Sequence, residues 1–388
     1  MTDEFFSAAL DDLREKGLLR EPRVFTACDG RTITLSGKKY LLFCSNDYLG
    51  LSQDARIVRA VEEGLAKYGF GSGGSRLISG TRTAHEKLER AIAQYLRAES
   101  SVLFGTGYGA NSGAIPALAG KGDVIFADKL NHASIIDGCL LSKAEFVRYP
   151  HADMGALERL LSKTRCTGRR WIVTDGLFSM DGDLAPLDVV CGLAKKYDAG
   201  VYLDDAHAFG VLGEGGRGTA SVFGVEGKID VTVGTLGKAA GGAGAFATGS
   251  KKMTDYLVNK ARTYIFSTAI PPAVAEGDLK AVEILAESGD RRKSLLSATS
   301  DVNAEMRKRG LARVGESYII PLVVGSADKA VQFAGAFLEA GIFIQAVRPP
   351  AVAEGSARLR LTLSSAQLPD DRTALLSAVD KLFDGRSA

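Results

Sequence analysis

The stretch GVYLDDAHAFG, residues 200 to 210, decides the class of fold. Small and apolar residues run straight into Asp204 and Asp205, and His207 follows three positions after the first acid. A short apolar run bounded by turn residues reads as a buried strand. A carboxylate at the end of such a strand must be paired or hydrogen-bonded, otherwise it takes up a proton. Adjacent side chains of a strand point to opposite faces, so only one of the two acids can face a crevice beyond the strand end. A metal site is the rival reading. A lone D-x-x-H without further His or Cys at ligand spacing gives it little support.

Working outward, the same kind of run recurs as SVLF (101–104), DVIFA (123–127), EFVR (145–148), WIVT (171–174), IDVTVG (229–234) and GAFAT (244–248). Amphipathic stretches at 132–142, 154–162 and 188–198 lie between them, and TAHE (83–86) predicts a capping box before Leu88, Ile92 and Leu96. Strands alternating with helices predict an α/β fold, a mostly parallel seven-stranded sheet covered on both faces. After about residue 285 long helical patterns dominate, with YIIPLVVG and ARLRLTL as the strands between them. The predicted organisation is an N-terminal segment (1–44) packing with the small domain, a large domain (45–285) and a small α+β domain (286–388).

At 388 residues the chain exceeds the roughly 250 to 300 at which single cores stop growing. Its 48 basic and 46 acidic side chains leave a net charge of +2 without a dense basic block, which argues against nucleic acid as a partner. Five scattered cysteines form no CxxC pair, so neither a zinc knuckle nor a disulfide framework is indicated and a cytoplasmic setting is expected. No stretch is apolar for long enough to span a bilayer, and the N-terminus lacks the basic start and apolar run of a signal peptide.

Three further segments carry chemistry. In GTLGKAAGGAG (234–244) a single lysine, Lys238, sits among glycines and alanines; a cramped apolar seat lowers a lysine pKa, as amine chemistry requires. A phosphate loop does not fit there, because Thr232 and Ala239 stand where Gly and Ser or Thr are needed. In SVLFGTGYGAN, Gly105, Gly107 and Ala110 match the glycine turn of a dinucleotide site with Asp128 as its ribose acid, yet the same turn seats any phosphate. In FADKLNHASIIDG, His132 stands where an extended run becomes helical, either as a helix cap or in the crevice at the strand ends. A strand-end acid, a strand-end lysine 34 residues later, a phosphate turn and a crevice histidine together describe a pyridoxal 5′-phosphate (PLP) site.

These residues resemble the α-oxoamine synthase family of fold type I PLP-dependent transferases. The likeness runs through SNDYLGLS (45–52), GSGGSRLISGT (71–81), NHASIIDG (131–138), DGLFSMDGDLAPL (175–187), LDDAHAFGVLGEGGRG (203–218), TLGKAAGG (235–242), FSTAIPP (266–272) and RPPAVAEGSARLRLTL (348–363). It implies Lys238 as the Schiff-base lysine and base, Asp204 at the pyridine nitrogen, His132 stacked on the ring, His207 on the ring hydroxyl and Ser179 beside the cofactor. Gly107, Tyr108 and Thr235 match phosphate contacts, and Thr268 a phosphate contact from a partner subunit, hence a homodimer. Arg360, with Asn46, matches the clamp on an amino acid carboxylate; Arg20 matches a substrate-binding arginine. GVLGEGGRG and the 348–363 motif look most like members that join L-alanine to pimeloyl-CoA or pimeloyl-acyl carrier protein. Sister members take glycine and acetyl-CoA. Two positions depart from the pattern: Asn131 where Ser is usual, and Ala351 where a substrate-contacting Thr is common. A nicotinamide oxidoreductase on the 105–110 turn and a non-catalytic PLP-binding protein are the remoter alternatives.

Overall fold

The computed structural model describes residues 3–311 and 317–383. The chain forms two compact units. One comprises residues 49–179 and 183–292; the other holds the segment up to 48, residues 180–182 and the chain from 293 on.

In the first unit the seven apolar runs are seven strands of one sheet: β1 Ser100–Phe104, β2 Val124–Asp128, β3 Glu145–Tyr149, β4 Arg170–Asp175, β5 Ala199–Asp204, β6 Val231–Thr235 and β7 Ala245–Gly249. Their spatial order is β1-β7-β6-β5-β4-β2-β3. Only β7 runs against its neighbours. Residues 236–244, which join β6 to β7, can turn the chain back but are too few for the helical crossover a parallel neighbour needs.

Successive side chains feed two separate cores, one on each face. Ile125, Ala127, Val173 and Tyr202 pack with the helices Gly107–Leu118 and Ala133–Leu141. Val124, Phe126, Ile172, Val201 and Leu203 pack with the helices Met154–Lys163 and Leu187–Tyr197. A strand buried on both faces therefore reads as a continuous apolar run. Register brings Asp175 opposite Asp204, and Asp204 opposite Val233, so the carboxyl ends of β4, β5 and β6 lie together.

The helix Thr83–Tyr95 starts one residue earlier than its sequence signal. Arg82 is the N-cap, and its backbone N–H donates to His85 Nδ1 at 2.9 Å, with His85 Nε2 2.9 Å from the Ile270 carbonyl. A buried imidazole with two backbone partners thus takes the place of the expected Thr–Glu box.

In the second unit, Ile319–Gly325, Ala357–Thr362 and Gln345–Val347 form an antiparallel sheet, accompanied by the helices Ala327–Glu339 and Pro369–Phe383. A further sheet of Ala27–Cys28, Thr32–Leu35, Lys38–Leu42 and Ile342–Phe343 was not legible as strands. Its hairpin turns on Ser36 and Gly37, at φ 50° and 76°, the pair of left-handed residues a two-residue hairpin demands. The helix Asp3–Glu15 buries none of its residues. Among the described residues no helix is long and apolar enough to cross a membrane.

Candidate active site

Five strand ends supply the site. β5 delivers Asp204, whose Oδ1 accepts the Ala206 N–H at 2.9 Å and whose Oδ2 accepts the side-chain amide of Asn111 at 2.6 Å. Asp205 turns the other way. It accepts the N–H and hydroxyl of Thr219 at 2.7 and 2.6 Å, and burial pushes its carboxyl up to about 7. The alternation expected of strand neighbours holds at this pair.

β4 ends on Asp175, which accepts the backbone N–H of His132 at 2.7 Å. Burial, reinforced by the Asp204 charge, raises the Asp175 carboxyl well above the usual range. The loop after β2 is tied to β4 by Asn131, whose amide donates to the Val173 carbonyl at 2.8 Å and accepts the Asp175 N–H at 3.0 Å. That loop presents His132, the N-cap of the next helix, with Nδ1 2.7 Å from Ser134 Oγ. Burial lowers the His132 pKa; Asp204 opposes that shift and Lys238 adds to it.

After β1, Gly107 opens a helix whose first-turn N–H groups have no acceptor within the helix; Thr106 Oγ1 takes that of Gly109 at 2.9 Å. β6 ends at Thr235, whose hydroxyl donates to the Gly244 carbonyl at 2.9 Å and accepts the Gly237 N–H at 3.2 Å. Between these bonds the loop carries Lys238. The glycines around the lysine serve close packing: a Cβ on Gly241 would overlap the backbone of Ser52, and one on Gly242 the carboxylate of Asp278.

Gly107, Tyr108, His132, Asp204, His207, Thr235 and Lys238 line a single cavity of about 200 Å³, completed by Ser134, Asp175 and Ala206. Its contents are an amine, two acids, two imidazoles, three hydroxyls and a helix N-terminus. The sequence matches the family of class I and II aminotransferases over residues 38–378. The chain belongs to that family.

Among its relatives, the 8-amino-7-oxononanoate synthase of Citrifermentans bemidjiense is 48% identical over 367 residues, 94% of each chain. A lysine-to-alanine variant of a serine palmitoyltransferase from S. paucimobilis, with a bound PLP–myriocin aldimine, superposes with a TM-score of 0.92 at 29% identity, covering 98% of this chain and 96% of that one. The 8-amino-7-oxononanoate synthase from Francisella tularensis gives a TM-score of 0.77 at 31% identity, over 88% and 97% of the two chains.

In this aminotransferase-family fold the remaining expected residues do not line this cavity and are held locally as follows. Ser179 is in the turn closed by the Leu177–Leu184 bridge, and Thr268 is bridged to Ser75. In the second unit Arg360 donates to Asn46 Oδ1 at 3.1 Å and to the Tyr48 hydroxyl at 3.4 Å. Arg20 donates to the Pro349 carbonyl at 2.7 Å, beside the turn in which the Ala351 N–H bonds the Arg348 carbonyl. Asp128, the acid a dinucleotide ribose would need, is 1% exposed and held by His151 at 3.0 Å and by the N–H groups of Leu130 and Ala152. No cluster able to hold a metal occurs among the described residues. Sequence reasoning missed Asn111, Ser134 and Asp175 as members of the site. Asp175 was visible only inside a longer motif, and the other two sit on helices whose facing direction tertiary packing sets.

Proposed function

We propose that this chain is a PLP-dependent acyltransferase that condenses L-alanine with a pimeloyl thioester, with loss of carbon dioxide, to give 8-amino-7-oxononanoate for biotin synthesis. The observation that carries this reading is the meeting of Lys238 and Asp204 in one cavity, in a chain 48% identical to a synthase of that name. The donor set fits the cofactor: an amine for its aldehyde, a carboxylate for its ring nitrogen, an imidazole for its ring face and a helix N-terminus for its phosphate. When bound, PLP supplies an electron-accepting ring that makes a carbanion accessible next to the amino group.

Lys238 would hold the cofactor through its amine and then take the proton from alanine Cα. Asp204 would keep the ring nitrogen protonated, His132 would cover the ring face, His207 would bond the ring hydroxyl, and Ser179 would lie beside the cofactor. Gly107, Tyr108 and Thr235 take the phosphate, with Thr268 assigned to a contact across a homodimer. Arg360, oriented by Asn46, is assigned to the alanine carboxylate, and Arg20 and the Ala351 turn to the acyl chain. A bond forms between alanine Cα and the thioester carbon as the thiolate leaves; the carboxylate departs as carbon dioxide, and a proton returns to Cα. We place the reaction in the cytoplasm, with coenzyme A or acyl carrier protein as the thiol.

Wild type with PLP should show visible-range absorbance and form a product with the mass of 8-amino-7-oxononanoate from alanine and pimeloyl-CoA. Lys238→Ala should lose both. Turnover in Lys238→Ala would overturn the mechanism; product only from glycine and acetyl-CoA would overturn the substrate assignment.

A further inference from the structure

We infer that Asn111 is a positioning residue that links the Asp204 carboxylate to the His132 imidazole and fixes that histidine as its Nε2–H tautomer. The functional meaning rests on the PLP reading above; the hydrogen-bond pattern does not. Asn111 is 1% exposed in the helix Gly107–Leu118. Its side chain meets Asp204 Oδ2 at 2.6 Å, Ser134 Oγ at 2.9 Å and the Tyr202 hydroxyl at 2.8 Å, and Ser134 Oγ lies 2.7 Å from His132 Nδ1.

Counting donors leaves one assignment. An ionised carboxylate only accepts, so the amide nitrogen of Asn111 faces Asp204 and its oxygen takes the Tyr202 proton. The second amide hydrogen goes to Ser134 Oγ, which therefore accepts from Asn111. The hydroxyl's own proton can then go only to His132 Nδ1. The backbone N–H of Ser134 points at the same nitrogen, at 3.3 Å. A ring nitrogen that receives two donors carries a lone pair, so the ring proton sits on Nε2. Protonating Nδ1 would leave Ser134 Oγ with two donors facing it and its own proton without a partner, a costly state in a buried network.

The charges around His132 are Asp204, which favours its protonation, and Lys238, which opposes it; Asp175 is bound to its backbone N–H. A stacked imidazole facing a protonated pyridine ring has to be uncharged, otherwise two cations lie face to face. The Asn111–Ser134 relay supplies that condition, while the same amide keeps Asp204 turned to the ring nitrogen.

The test uses full-length protein carrying ¹⁵N-labelled histidine, with PLP bound and after its removal. Four histidines contribute, and His132→Gln assigns the signal of interest. The expected wild-type spectrum has Nδ1 unprotonated and Nε2 protonated from about pH 6 to 9. Ser134→Ala and Asn111→Ala should mix the tautomers, and Asn111→Ala should lower kcat about 10- to 100-fold with a much smaller change in KM for alanine. A protonated Nδ1 in wild type, or an unmixed tautomer in both variants, overturns the inference. The wild-type spectrum decides even where a variant does not fold. Missing visible absorbance with the expected tautomer would refute the PLP reading alone.

Discussion

Gly242→Ala probes the loop that carries Lys238. Asp278, on the helix Pro272–Glu287, lies beneath this loop; its Oδ1 accepts the Ala243 N–H at 3.1 Å, and its Oδ2 is buried without a hydrogen-bond partner. Burial pushes the carboxyl up to about 8, so it is mostly neutral at pH 7. An alanine Cβ at 242 would overlap Asp278 Oδ1, whereas the Leu236 carbonyl oxygen lies at an ordinary 3.6 Å. The same helix packs tightly elsewhere: a Cβ on Gly64 would come within 2.7 Å of the Ala273 backbone. The loop must lift or the carboxyl must rotate away. Losing the Ala243 bond costs about 1 kcal/mol. Overpacking strain adds about 2 kcal/mol. The sum of about 3 kcal/mol corresponds to a fall in Tm of roughly 4 °C. Thermal unfolding and PLP absorbance of the single and double variants measure it. In Gly242→Ala/Asp278→Ala the obstructing atom is gone and the Ala243 bond is lost only once, so the pair should be coupled by about 3 kcal/mol relative to the sum of the single effects. Strict additivity would refute the steric argument.

Three other outcomes follow from ion pairs and the site. His151 bridges Asp128 at 3.0 Å and Asp183 at 2.8 Å; burial lowers its pKa, but the two carboxylates outweigh this and raise it to about 10. Because the folded value lies above the unfolded one of about 6.5, its contribution is complete below about pH 6.5 and is lost as the pH rises through about 10. Urea midpoints across that window should fall in wild type and stay flatter in His151→Gln. Arg31 makes two bonds, of 2.6 and 2.7 Å, to the 3%-exposed Asp371, and Arg31→Ala should cost about 1 to 2 kcal/mol, because the carboxylate keeps the Leu368 N–H but loses its bidentate partner; an unchanged urea midpoint would contradict it. Asp204→Asn should retain the fold, measured by circular dichroism, yet lower kcat by at least about 100-fold, since an amide does not hold a proton on the ring nitrogen.

Much of the architecture was legible because local patterns coincided with burial. The seven strands of the large sheet each occupy an apolar run long enough to be noticed. The hairpin at Ser36–Gly37 was missed because its strands are short and only partly buried, so their residues do not alternate cleanly. The cap at Arg82 escaped because its acceptor is a histidine ring committed also to Ile270, a partner 185 residues away. His132, Asp204, His207 and Lys238 stood out in combination, as an acid, a lysine and imidazoles at or just past strand ends, and the fold brings the four to one cavity.

By itself, then, the sequence determined the alternation of strand and helix and the few chemically active side chains at strand ends, since both follow from neighbours a few positions apart. Tertiary structure alone decided which of Asp204 and Asp205 faces the cavity, that Ser134 and Asp175 line it, and that Asn111 bonds Asp204 and Ser134. The physical reason is that hydrogen-bond partners are chosen by distance in space. Asn111 and Asp204 stand 93 residues apart along the chain and 2.6 Å apart in the fold.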